Sequence, residues 1–153
     1  MRDFEKISFD QFKKDVIDDI NLYNNYKLPF RDSDATAGYD IFLLEDLELK
    51  PGETRKIPTG IKSFFAKDEV LLIVVRSSMG FKHNLRLCNQ IGVIDSDYYN
   101  NLDNEGHIWI TIQNESENIL KFNSGEAIVQ GIFFKYLSTN SDCNSSLQRR
   151  SDY

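Results

Sequence analysis

Two acids close an apolar run in Gly92-Val93-Ile94-Asp95-Ser96-Asp97-Tyr98. Residues two apart in an extended strand point to one face, so Asp95 and Asp97 converge if the strand continues through them. A carboxylate there can take a proton from water as a general base; the plainer reading is a pair of acids capping a turn. A second segment, Arg76-Ser77-Ser78-Met79-Gly80, follows the most apolar stretch, Val70–Val75. Hydroxyls, a glycine and backbone N–H groups at a strand end suit an anion such as phosphate. Lys82, His83 and Arg86 come soon after, a basic patch inside an acidic chain, with a solvated hairpin as its ordinary reading. Gln130 sits within the apolar segment Ala127–Ile132. It either faces outward or is a buried donor with a specific partner.

Other chemistries lack their residues. His83 and His107 are the only histidines, and neither has a partner at zinc-ligand spacing. Cys88 has no evident third group to orient a Cys-His pair. No Gly-Lys-Ser/Thr element exists to form a phosphate loop of the Walker type. Asp15, Asp18 and Asp19 share a region where two acids three apart could hold a metal, but such a pair is more often a solvated face. The formal net charge of the 153 residues is -6, from 24 acids and 18 bases, which predicts no direct nucleic-acid binding. No apolar run approaches the ~20 residues of a membrane span. The first ten residues, MRDFEKISFD, are charged where a secretory signal is apolar. Cys88 and Cys143 form neither a disulfide framework nor a metal motif, so a reducing cytoplasm is the expected compartment.

The elements that must position these residues are mostly strands. Phe9, Phe12, Val16, Ile20 and Tyr23 recur at helical spacing and predict a single helix over 8–23, with Ser8 and Gln11 as its capping box. From residue 27 onward, short apolar runs alternate with turn signals. Strands are predicted at Tyr39–Leu44, Thr54–Ile57, Gly60–Phe65, Val70–Arg76, Leu85–Cys88, Ile91–Ile94, His107–Gln113 and Ala127–Tyr136. Many short strands without alternating helices indicate an all-β sandwich, jelly roll or barrel. The length and a 41% hydrophobic composition suit one domain with its own core. We expect that domain over 1–137, with the helix at about 8–23 and the β core at about 27–137. Residues 138–148 are rich in Ser and Asn, so 138–153 is expected to be a flexible arm.

Taken in order, these segments resemble the motifs of the trimeric dUTPases within the dUTPase and dCTP deaminase superfamily. Thr36-Ala37-Gly38-Tyr39-Asp40 looks like the first motif and Arg76-Ser77-Ser78-Met79-Gly80 like the second. Asn89 with Gly92–Tyr98 looks like the third, and Gly125-Glu126-Ala127-Ile128-Val129-Gln130 like the fourth. The resemblance spans roughly residues 27–136. It implies a distorted jelly-roll or β-clip barrel, hydrolysis of dUTP to dUMP and pyrophosphate, Mg²⁺ held mainly through the substrate phosphates, and a homotrimer with shared sites. It further implies that Asp95 activates the attacking water, and that Arg76, Ser77, Ser78 and Gln130 contact phosphates. Asn89, with main-chain groups near Val93 and Ile94, would face uracil, from a hairpin of Leu85–Cys88 and Ile91–Ile94. Tyr98 would pack under the deoxyribose and Trp109 line the pocket. Asp40, with Asp97, would support the site.

The sequence departs from the family pattern in three places. The segment Asn100–Gly106 (NNLDNEG) intervenes after the third motif and reads as a longer hairpin loop, whose acids could add outer metal contacts. The N-terminal helix lies outside the common core, and is expected on the outside of the barrel or against a partner. The fifth motif is reduced to Arg149-Arg150-Ser151-Asp152-Tyr153, with Arg149 and Tyr153 at the spacing of the family's arginine and aromatic. A shortened lid would weaken catalysis more than fold, so an inactive or slow nucleotide-binding homologue is the alternative. A dCTP deaminase is disfavoured because the strand 107–114 carries no acid to shuttle protons.

Overall fold

The computed structural model describes residues 1–142, 150, 151 and 153, so Arg149 and Cys143 lie outside the described residues. In chain order the elements are β1 (Asp3–Lys6), α1 (Phe9–Asp15), α2 (Ile20–Asn25), β2 (Tyr39–Phe42), β3 (Leu47–Leu49), β4 (Thr54–Pro58) and β5 (Ile61–Phe64). Then come β6 (Glu69–Val75), α3 (Ser77–His83), β7 (Leu85–Leu87), β8 (Gly92–Asp95), a 3-10 turn (Ser96–Tyr98), β9 (Trp109–Asn114), β10 (Leu120–Phe122) and β11 (Ala127–Lys135). They form four antiparallel sheets, β2-β11-β6-β8, β4-β9-β7, β1-β5 and β3-β10. Consecutive strands repeatedly switch sheets, which makes an all-β, distorted jelly roll. Among the described residues no helix is long and apolar enough to cross a membrane.

The core follows from alternation along the two inner strands. In β6, Leu71 and Ile73 are essentially inaccessible while Leu72 and Val74 are half-buried. β11 lies beside it, and its Gly131 is set by crowding: an added Cβ would stand 3.0 Å from the Leu71 side chain.

The predicted helix over 8–23 is instead two short helices. Val16 leaves helical geometry at φ -121°, ψ -80°, and Asp19 begins the second helix. Its Oδ1 accepts from the N–H groups of Asn21 and Leu22 at 3.0 and 3.1 Å. Aspartate is poor inside a helix and favourable as a cap, so Asp18-Asp19 stops one helix and Asp19 starts another. The capping box is half formed: Ser8 Oγ accepts from Gln11 N–H at 3.1 Å, but the Gln11 side chain donates to Asp15 rather than returning to Ser8. The two helices lie on the outside of the barrel through Ile7, Phe12 and Leu44, with Tyr26 stacked on Phe12 and Tyr23 edge-on to it.

The strands β1, β3 and β10 and the helix α3 were not predicted. Three or four residues with one or two buried side chains give too few periods for alternation to register. The expected hairpin of β7 and β8 is also corrected. The chain turns tightly through Asn89 and Gln90 (φ 65°), but β7 pairs with β9 and β8 with β6. The two strands are edges of different sheets and diverge.

Candidate active site

The divergence of β7 and β8 opens a cleft between the two sheets. Asn89 stands at its apex; Val93, Ile94 and Asp95 of β8 form one wall, and Trp109 and Ile110 of β9 the other. Tyr98 closes the floor and Tyr153 stands at the mouth. As an edge strand, β8 turns one row of N–H and C=O groups toward β6 and the other away from it. The strand ends at Asp95 and the backbone enters the 3-10 turn, so Asp97 does not share the face of Asp95 and is exposed. Period-two alternation fails there because the strand does not continue.

Tyr98 is held from several sides. Its hydroxyl donates to the His107 carbonyl at 2.9 Å and accepts from Asn104 Nδ2 at 2.7 Å. Buried Asn101 donates to the Tyr98 carbonyl at 2.9 Å. The segment 100–106 is thus a built scaffold. Its acids, for which outer metal contacts are the lesser of the two readings, are committed elsewhere. Asp103 binds Ser151 N–H and Arg150, which hold its carboxyl below the usual range. Burial pushes the Glu105 carboxyl up, but hydrogen bonds from Ser8 and Lys62 outweigh it and leave it below the usual range.

His107 was not assigned a role from the sequence. It is fully buried, with Nδ1 2.6 Å from Asp15 and Nε2 accepting the Gly60 N–H at 2.9 Å. Because Nε2 accepts, the ring proton is on Nδ1 and the imidazole is neutral. Asp15 therefore serves a buried hydrogen bond rather than a metal pair with Asp18. The ring also contacts Trp109, with centroids 5.2 Å apart, so α1 is joined to the cleft wall through one residue. Burial pushes the His107 pKa below its ordinary value, against the raising effect of Asp15. With the folded pKa depressed, the unfolded chain binds the proton first as pH falls. Stability is complete above about pH 6.5 and declines below it by up to about 1.4 kcal/mol per pH unit, until the folded pKa is reached. Urea denaturation at pH 7.5 and 5.5 should show a steeper loss in the native chain than in His107→Gln.

A second cluster lies apart from this cleft. Arg76 Nε is 3.2 Å from Asp40 Oδ1, and both line a separate cleft with His83 and Lys121. Burial pushes the Asp40 carboxyl up, Arg76 pulls it back, and Asp32 adds to the rise; the net direction is upward. Gln130 of β11 is paired directly opposite Asp40 of β2. Its side chain fills the space over Gly38, where an added Cβ would stand 1.9 Å from Gln130 Oε1. Ser77 and Ser78 open α3 immediately after Arg76. The rest of the expected basic patch is partly spent: Arg86 donates to Glu115 and Gln113 at 2.6 Å each, and His83 packs edge-on against Phe122. The two clusters sit toward opposite ends of β6. Asp95 is level with Val70, whereas Arg76 follows Val75, a separation of roughly 20 Å along the strand.

Comparison with known proteins bears on the family of the chain. The dUTPase family model matches residues 24–152. The deoxyuridine 5'-triphosphate nucleotidohydrolase of Lactococcus lactis is 41% identical over 133 residues, 86% of this chain and 89% of the relative. That of Haemophilus influenzae is 33% identical over 118 residues, 75% of this chain and 74% of the relative. The crystal structure of the Streptococcus mutans dUTPase superposes with a TM-score of 0.73 and 38% identity, covering 90% of this chain and 98% of that one. A mutant dUTPase from phage phi11 of Staphylococcus aureus, described with a structural Mg(II) ion, shares the fold at 19% identity and a TM-score of 0.68, covering 97% of this chain and 99% of that one. With the family model spanning most of its length and relatives above the 30% level, this chain belongs to the dUTPase family.

Proposed function

We propose that this chain hydrolyses dUTP to dUMP and pyrophosphate in the cleft between β8 and β9, with Asp95 as the general base. The observation that carries the reading is Asp95 at the end of an edge strand, beside a cleft floored by Tyr98 and walled by Trp109. Asp95 takes a proton from a water. The water oxygen attacks the α-phosphorus, the bond from that phosphorus to the bridging oxygen breaks, and pyrophosphate leaves. Such a reaction depends on positioning and on neutralising the phosphate oxygens. Arg76, Ser77, Ser78 and Gln130 supply the phosphate contacts. Asn89 and the main chain at Val93 and Ile94 read the uracil edge, where a donor in place of an acceptor distinguishes cytosine. Tyr98 packs against the deoxyribose and Tyr153 against the base, with Asp40 in support beside Arg76.

The donor set suits Mg²⁺ that arrives on the triphosphate. Among the described residues no three His, Cys, Asp or Glu side chains converge to hold an ion, and phosphate oxygens with water are its usual ligands. Bound there, the cation neutralises phosphate charge; orienting the base and the water belongs to the side chains named above.

The separation of the clusters supports sites shared between copies, as in the homotrimer that the family resemblance implies. One triphosphate cannot meet Asp95 and Arg76 of one protomer across roughly 20 Å, so a second copy brings its Arg76 cluster to the first copy's cleft. The free thiol of Cys88 suits a reducing cytoplasm.

Pyrophosphate release from dUTP, dCTP, UTP and dTTP with Mg²⁺ tests the reading. Release from dUTP should exceed that from dCTP by about 10³-fold or more, the scale on which a site built for one hydrogen-bond pattern rejects another, and that from dTTP and UTP, which differ by a methyl or a hydroxyl, by about 10²-fold. Release of ammonia from dCTP, or binding without turnover, would replace it with the deaminase or the inactive homologue.

A further inference from the structure

The loop 100–106 joins the cleft to the chain's C-terminal segment through one carboxylate. Asn101 Oδ1 accepts from the N–H groups of Asp103 and Asn104 at 2.9 and 3.1 Å, which fixes the loop and turns the Asp103 side chain outward. Asp103 Oδ1 lies 2.7 Å from Arg150 Nη2, and Oδ2 accepts from Arg150 Nε at 3.2 Å and from Ser151 N–H at 2.9 Å. Ser151 Oγ accepts from Tyr153 N–H at 3.1 Å and from Asn104 Nδ2 at 3.3 Å. Tyr153 then meets Tyr98 edge-on, with centroids 5.8 Å apart and planes at 89°. Its hydroxyl donates to the Trp109 carbonyl at 3.0 Å, and Lys56 Nζ lies 4.8 Å from the Trp109 ring centre and 5.6 Å from that of Tyr153. Three donors from two successive residues converge on one carboxylate, and the ring two positions beyond Ser151 stands at the mouth of the cleft.

We propose that Asp103 is a positioning residue for the nucleotide: it docks Arg150 and Ser151 and thereby sets Tyr153 as the wall against which the base is held. The proposal rests on the reading of the cleft as the dUTP site. Asp103 touches no reacting atom, so its loss acts on how firmly the nucleotide is held rather than on the chemical step. Charge-assisted hydrogen bonds at an exposed site are modest individually, but here they converge on a two-residue segment.

The test uses the full chain and the variants Asp103→Asn, Asp103→Arg, Arg150→Asp and the charge-swapped pair Asp103→Arg with Arg150→Asp. KM for dUTP should rise about fivefold in Asp103→Arg with kcat changed less than about twofold, the signature of lost binding rather than lost transition-state stabilisation. The charge-swapped chain should recover part of that KM, which a merely structural role for Asp103 would not allow. Trp109 is the only tryptophan and reports on the ligand-free chain independently of turnover. Its fluorescence should become more open to acrylamide quenching in Asp103→Arg and in Arg150→Asp alike. Arg150→Asp changes only the tail, so it keeps the test valid where a loop variant folds poorly. An unchanged KM in both single variants, a charge-swapped chain no better than the worse single variant, or quenching equal to the native chain each overturns the latch. A native chain that turns over no dUTP removes the functional reading, while the quenching comparison still decides whether Asp103 holds Tyr153.

Discussion

Replacement of Asp95 by asparagine is expected to lower kcat for dUTP by about 10³-fold, within the range that removal of a positioned general base produces. Asparagine keeps the size of the side chain and its place at the end of β8 but cannot accept a proton. Asp95 is half-buried and its strand is anchored by pairing with β6, so the substitution leaves the ladder intact. Binding of a non-hydrolysable dUTP analogue should therefore stay within about threefold of the native chain, and KM should move little. Single-turnover pyrophosphate release together with analogue titration checks both halves. Equal losses in binding and turnover would mean that Asp95 organises the cleft instead of acting on water.

Mixing two inactive variants should restore turnover. On the proposed reading, Arg76→Ala removes the phosphate contact of the second cluster and Asp95→Asn the base of the first. Each alone then leaves every site of the proposed homotrimer defective. In trimers reassembled from equal parts of both, a site is intact when an Asp95→Asn protomer supplies Arg76 and an Arg76→Ala protomer supplies Asp95. That combination arises in about a quarter of sites under random assembly, so activity should climb from near zero to about a quarter of the native value. Denaturing and refolding the two together, against each refolded alone, is the measurement. No recovery would place Arg76 and Asp95 on the same triphosphate within one protomer, contrary to their places along β6.

The sequence announced the all-β fold class more fully than the bounds of its elements. Gly92–Tyr98 and Arg76–Gly80 stood out because apolar runs end abruptly in charged or hydroxylated residues, a pattern that a capped turn also produces. Gly38 and Gln130 became intelligible only together, since one is small in order that the other may fit; they are remote in sequence and adjacent across β2 and β11. The helix over 8–23 was misjudged because its apolar stripe continues across the break. The periodicity was real, but capping by Asp19 outweighed continuity. The contacts of His107, Asn101 and Asp103 were not legible in the sequence. Each matters through a partner far away or through a loop conformation, and neither has a period. A buried histidine next to a glycine reads as core until the geometry of Asp15 and Gly60 is known.

The position of β11 has a consequence for how the chain reaches this fold. It is the partner of both β2 and β6, yet of all the strands described it is the last to be synthesised. Until it emerges, β2 has, among the described residues, only the bridge to Phe30, and β6 keeps one edge open along Leu71–Val75, five apolar residues in a row. Such distant pairings form slowly because the intervening chain must close first, and open apolar edges recruit one another. A nascent chain halted before residue 127 should therefore associate through β6, and yield on refolding should fall with protein concentration more steeply than the stability of the finished molecule would suggest.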